Sequence, residues 1–176
     1  ALYYSKANVD ARNLLGLVYY ETGQMVEALA QWVISSNYQP DSNPATRYLK
    51  VVQGNQNKLN GYDQAAKKYN QTLHYVQQKN YDLALIQLKR VLSANPHFVN
   101  AYLILALIYI QEGNVERARR ALQRVLRIDR YNPQAQQYLE ELAGLDGSHT
   151  IGTIADIHGE DDDLPELEIG DSYKDE

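Results

Sequence analysis

The chain has 176 residues, no cysteine and a formal charge of −5. The lack of cysteine excludes disulfides, thiolate zinc sites and a cysteine nucleophile, and no apolar run approaches the roughly 18 residues a membrane-spanning helix needs. The charge is unevenly placed: residues 1–145 hold 16 basic and 11 acidic side chains, whereas residues 146–176 hold one basic and 11 acidic, so a mildly basic body carries an acidic tail.

The start of the chain has neither an initiator Met nor a signal-peptide pattern. In the repeat register set out below, Ala1 falls where a helix-packing alanine sits late in a second helix, so residues 1–8 are expected to be the remnant of an upstream repeat. Residues 9–42 then read as a helical hairpin. Asn8 or Asp10 can cap a helix with the stripe Ala11, Leu14, Leu15, Val18 and Tyr19. Glu21-Thr22-Gly23 closes it, and a second helix carries Val26, Leu29, Ala30, Val33 and Ile34 before Asn37 and Pro40. Gly16 and Ala28 are small enough to let the two backbones approach.

Residues 43–64 form a helical insertion, which adds 22 residues to the spacing between the first hairpin and the second. That length is about six turns at 3.6 residues per turn, so an inserted helix can run into the next repeat with its face unrotated. Leu49, Val52, Gln56, Leu59, Asp63, Ala66, Asn70, Leu73 and Gln77 keep the helical step. The pattern favours one helix from Pro44 to Gln78, the alternative being two helices broken near Gly54–Gly61.

Residues 65–98 and 99–132 are two further copies. Tyr75, Ala84, Leu88, Val91 and Leu92 recur 34 residues later as Tyr109, Ala118, Leu122, Val125 and Leu126. A period of this length, with small and aromatic residues at fixed offsets, marks hairpins that bury their apolar faces by stacking on their neighbours. Lys79-Asn80 and Glu112-Gly113-Asn114 make the turns, and Asn132-Pro133 opens a last helix, expected over 133–143, that caps the array. Residues 144–176 lose the period, carry the block Glu160-Asp161-Asp162-Asp163, and are expected to be disordered.

The three copies resemble the tetratricopeptide repeat family. The match is carried by Leu15, Gly16, Tyr19, Ala28, Trp32 and Pro40 in residues 9–42. In residues 65–98 it rests on Tyr75, Tyr81, Ala84, Leu88 and Pro96, and in residues 99–132 on Tyr102, Leu105, Ala106, Tyr109, Gly113, Ala118 and Leu122. Gln71, Thr72 and Arg130 depart from the family pattern. The 43–64 segment is also similar to uncharacterised bacterial members with an elongated helix inside the array. The resemblance implies an all-α fold: an α-solenoid of stacked helix–turn–helix repeats in a right-handed superhelix, with an irregular acidic C-terminal tail.

The resemblance further implies a concave groove lined by the first helix of each repeat. Its lining here would be Asn13, Leu17 and Tyr20, then Tyr69, Leu73 and Val76, then Leu103, Leu107 and Ile110. Repeats that clamp the C-terminal carboxylate of heat-shock chaperones place Lys, Asn and Arg at such positions. Leu17, Tyr69, Leu73, Leu103 and Leu107 stand there instead, which argues against such a clamp. An apolar lining suits an amphipathic helix or an extended apolar peptide of a partner protein. The rival is a self-assembling module whose groove holds a second copy or its own tail, where Ile151, Ile154, Ile157, Leu164, Leu167 and Ile169 supply apolar residues. The 15 tyrosines read either as core and boundary residues or as part of a binding surface.

Arg117, Arg120, Arg124 and Arg127, with Arg119 and Arg130 beside them, form a basic face that is either simply solvated or docks an acidic partner, the tail included. No nucleic-acid motif accompanies it, and the tail's charge opposes such a ligand. His74, His97, His149 and His158 lack paired-ligand spacing, and there is no phosphate loop or nucleophile elbow. No catalytic residue, metal or cofactor is expected, and the chain is expected to be cytoplasmic with no membrane segment.

Overall fold

The computed structural model describes residues 2–147, with side chains from Asn8 to Gly144. Those residues form eight helices and no strand: α1 (Leu2–Glu21), α2 (Met25–Tyr38), α3 (Pro44–Gln53), α4 (Gln56–Gln77), α5 (Tyr81–Ala94), α6 (Val99–Gln111), α7 (Val115–Ile128) and α8 (Pro133–Gly147). The protein is an all-α helical-repeat solenoid. α1 and α2, α4 and α5, and α6 and α7 pair as hairpins, α3 leans on α2, and α8 covers α7.

One turn is used three times. Gln24 N donates to Tyr19 O at 2.7 Å, Asn80 N to Tyr75 O at 2.9 Å and Asn114 N to Tyr109 O at 2.8 Å, while the residue before each bonds one position further on. This is the Schellman closure, which needs a left-handed residue. Gly23 (φ 79°), Lys79 (φ 57°) and Gly113 (φ 73°) provide it. Asn80 and Asn114 then cap the second helices, their side chains accepting from Leu83 N at 3.4 Å and Arg117 N at 3.2 Å.

Packing divides into two cores. The larger runs through α4 to α8 and centres on Leu88, Val91, Ile108, Leu122 and Val125. The smaller joins α1, α2 and α3 around Ala28, Trp32 and Ala45, with Tyr20, Tyr48 and Leu49 against it. A clasp connects them. Asn95 Nδ2 donates to Gly23 O at 2.6 Å and Val99 N to Thr22 O at 3.2 Å, so the first hairpin's turn is seated on the junction between α5 and α6.

Two expectations are corrected. Residues 44–78 are two helices rather than one. Asn55 leaves helical geometry (φ −115°, ψ 84°) and its side chain caps α4 by accepting from Lys58 N at 3.0 Å, while Gly54 N closes α3 on Lys50 O. An asparagine after a glycine offers both a stop and a start, and the break lets α3 turn its Ala45–Tyr48–Leu49–Val52 side toward Trp32. Residues 2–8 are helical and form the opening turns of α1, which runs without interruption from Leu2 to Glu21. α8 continues to Gly147, past the expected end at 143; the remaining tail lies outside the described residues.

The three turns have opposite tolerances. A lysine in left-handed geometry is strained by about 1 kcal/mol, so Lys79→Gly should raise the unfolding free energy by up to that amount. At Gly23 a methyl group would lie 2.6 Å from Phe98 Cα on top of the same strain, so Gly23→Ala should lose about 2 kcal/mol or more. Denaturant melts of the two variants check both signs.

Candidate protein-binding groove

The candidate groove is built on α1, α4 and α6, the first helices of the three hairpins. Within each hairpin a small side chain meets its partner helix: Ala28, Ala84 and Ala118 are fully buried. Gly16 lies directly against the Trp32 indole, where any Cβ would collide. Close approach on that side turns the opposite side of each first helix outward.

The structure sorts the expected lining into two groups. Leu17, Tyr20, Tyr69, Leu73, Val76, Leu107 and Ile110 are half-buried. Leu103 is buried in the larger core and Asn13 in the smaller half, so neither is free to line a groove. Asn13 is instead the hub of a polar network. Its Nδ2 donates to Asn43 Oδ1 at 2.9 Å, Ser35 Oγ donates to its Oδ1 at 2.5 Å, and Trp32 Nε1 donates to its backbone oxygen at 3.3 Å. Asn43 completes the set by donating to Ser35 O and capping α3 at Ala45 N.

Aromatic rings run along the same region. Tyr20 stands 5.9 Å from Trp32, Trp32 stands 5.2 Å from Tyr48, and Tyr69 packs on Phe98 at 4.7 Å between centroids. Burial pushes the Tyr69 phenol above its ordinary pKa. Burial does the same at Tyr62, partly offset by Lys58 and reinforced by nearby Tyr20. Tyr62 and Phe98 were not expected in this region. Phe98 is the single phenylalanine of the chain and lies two residues after Pro96.

The hairpin geometry, its repeated turn and the buried small residues are those of one repeat family. Residues 75–145 match the tetratricopeptide repeat model. Over that span the chain is similar to tetratricopeptide repeats. No curated protein matches it. Tetratricopeptide repeats are in general protein–protein interaction modules and typically non-catalytic scaffolds. Among the described residues, no cluster of three His, Cys, Asp or Glu side chains is placed to hold a metal ion, and no helix is long and apolar enough to cross a membrane.

The basic face of α7 is partly engaged within the repeat. Arg117 lies over the Tyr109 ring at 5.8 Å and opposes the burial that raises the Tyr109 pKa. Arg119 pairs with Glu116 at 3.8 Å. Arg120 and Arg127 are exposed and Arg124 is half-buried. The tail residues from Ile151 to Ile169 offered as occupants of the groove, with His149 and His158, lie outside the described residues.

Two measurements probe this region. Asn13→Ala strands the buried Ser35 and Asn43 groups and should lower the unfolding free energy by about 2 kcal/mol in a denaturant melt. Burial favours the neutral Tyr69 phenol, so the folded chain keeps that proton to higher pH than the unfolded chain. The associated stability is complete below the ordinary value of 10.0 and is lost as pH rises through the folded value. Alkaline stability curves should therefore fall less steeply above that pH in Tyr69→Phe than in the parent.

Proposed function

We propose that this helical-repeat protein is an interaction scaffold that holds a helix or extended peptide of a partner protein along α4 and α6, with Leu17 and Tyr20 of α1 at one end. The observation that carries this reading is a pair of equivalent apolar steps left partly open to water. Leu73 and Leu107 stand one repeat apart, as do Val76 and Ile110, and all four are half-buried. Side chains spaced in this way present successive shallow contacts to a ligand lying across the helices, and apolar burial with a few anchors sets affinity. Tyr20 and Tyr69 add phenols held in place by ring neighbours, so ordering them on binding costs little entropy.

Arg120 and Arg127 on α7 are exposed and supply a second surface suited to an acidic partner segment. The reading in which a second copy or the chain's own tail fills the groove predicts a different outcome in one experiment. A partner recovered by affinity capture is identified by mass spectrometry, purified, and titrated calorimetrically against the parent, Leu73→Glu, Leu107→Glu and a chain lacking residues 148–176. Each glutamate should weaken binding by about tenfold or more with little change in melting temperature, because both positions already touch water. Unchanged affinity in both glutamate variants would sink the groove reading. A large gain on removing residues 148–176 would instead identify the tail as its occupant.

A further inference from the structure

On α7, Arg117, Arg120, Arg124 and Arg127 follow one another at steps of three, four and three residues. That spacing puts all four on one side of the helix, away from the buried stripe of Ala118, Ala121, Leu122 and Val125. Like charges at these steps repel and weaken a helix unless a carboxylate stands among them. On α4 such a neighbour is local, and Lys67 pairs with Asp63 one turn away at 2.7 Å. On α7, Arg117 is drawn over the Tyr109 ring and Glu116, at the edge of the face, pairs with Arg119. Among the described residues no ion pair forms at Arg120, Arg124 or Arg127, and Arg120 and Arg127 are exposed.

The opposite charge is concentrated in one stretch of the same chain. Residues 156–171 hold eight Asp and Glu side chains and no Lys or Arg, with Glu160-Asp161-Asp162-Asp163 among them. The described residues end at Gly147 of α8, the helix that packs on α7. Glu160 is 13 residues further on, a length that spans up to about 43 Å when extended. α7 and α8 are each only about 22 Å long, so the acidic block can reach any arginine of the stripe. Alternate carboxylates of an extended chain stand about 7 Å apart, close to the rise of about 6 Å from Arg120 to Arg124.

We propose that residues 156–171 dock on the α7 arginines of the same molecule and keep that face from other acidic segments. A guanidinium holds a carboxylate through two parallel hydrogen bonds, so the stripe suits a run of Asp and Glu. Exposed ion pairs are weak one by one, but tethering changes the balance. A linker of this length gives the acidic segment an effective concentration on the order of 1 mM, which the same segment of a second copy would match only at millimolar protein. A contact with a dissociation constant of about 0.1 mM is then closed in about nine molecules of ten. A free acidic segment has to displace it and binds about tenfold more weakly. The proposal names an acidic segment for the α7 surface and does not rest on the groove of α4 and α6, which offers apolar side chains to its ligand.

Paramagnetic relaxation in the full chain tests it. The chain lacks cysteine, so a nitroxide on Gly159→Cys marks the acidic block alone. At about 50 mM salt it should broaden the amide signals of residues 117–127 and leave those of α3 sharp, and at about 0.5 M salt the broadening should disappear through screening. Arg120→Glu combined with Arg127→Glu should abolish it with unchanged helical content. Leu73→Glu on α4 should not, so failure of the groove reading leaves this result intact. A labelled peptide of residues 156–171 should bind the parent about tenfold more weakly than a full chain carrying Glu160→Gln, Asp161→Asn, Asp162→Asn and Asp163→Asn. Sharp α7 signals overturn the proposal, as does broadening that the arginine variant leaves unchanged. Broadening that falls on α4 and α6 instead would place the segment in the groove. Broadening of a nitroxide-free, isotope-labelled chain by a nitroxide-bearing one would assign the contact to a second copy, and either outcome overturns it. Equal peptide affinity of the parent and the neutralised chain would leave the face to a partner's acidic segment, and overturns it too.

Discussion

The distance between the two helices of each hairpin is set by a side chain of one carbon. Ala28, Ala84 and Ala118 are each fully buried at the crossing, and the facing positions are small as well: Gly16, Thr72 and Ala106. A larger group at any of these would push the helices apart and open a void that Leu88, Leu122 or Trp32 is shaped to fill. Thr72 is the least expected member, because it brings a hydroxyl into the crossing. Its Oγ1 donates to Lys68 O at 2.9 Å, so the buried group is satisfied within its own helix. Close hairpins in turn leave each first helix with an outward side, and that side carries the groove lining.

Stacking then has to carry the arrangement from one hairpin to the next. Between α5 and α6 it does so by apolar contact, and Val99, Ala101 and Tyr102 are buried there. Between the first hairpin and the rest, the insertion replaces most of that contact with a clasp of backbone and side-chain hydrogen bonds. Asn95 reaches the Gly23 carbonyl, Val99 reaches Thr22, and the ring of Phe98 passes on to Tyr69. Each such bond contributes about 1 kcal/mol net, but leaving the Gly23 carbonyl unpaired at a buried site costs more than that. Directional bonds fix orientation more narrowly than apolar area does. The first hairpin is thus held by this clasp and by the contacts of α2 with α3 and α4, while its α1 stripe stays exposed.

What could be read in the sequence follows from which residues do the same job in every copy. The 34-residue recurrence exposed the hairpins, their turns and the buried alanines, because those positions face the same neighbour each time. The break at Gly54–Asn55 was hidden for a physical reason. An insertion of about six turns preserves the apolar face whether the helix continues or restarts, so periodicity cannot separate the two. The groove lining was legible in its half-exposed members and not in Asn13 or Leu103. Register assumes that equal positions have equal surroundings, yet Asn43 comes from the insertion and draws Asn13 into a buried network that no other repeat has. Gln71 looked like a flaw in the repeat pattern. It is polar because the position it occupies in α4 is open to water.

The same reasoning separates the two surfaces by mechanism. Along α4 and α6 the open residues are staggered and half-buried, a corrugated surface that suits a slender ligand whose side chains drop between steps. On α1 the open residues Leu14, Leu15 and Val18 are apolar and exposed, and such a stripe is of the kind that packs against another helix face. The two also lie on different sides of α1, since Leu17 and Tyr20 point away from the stripe that Leu15 and Val18 share.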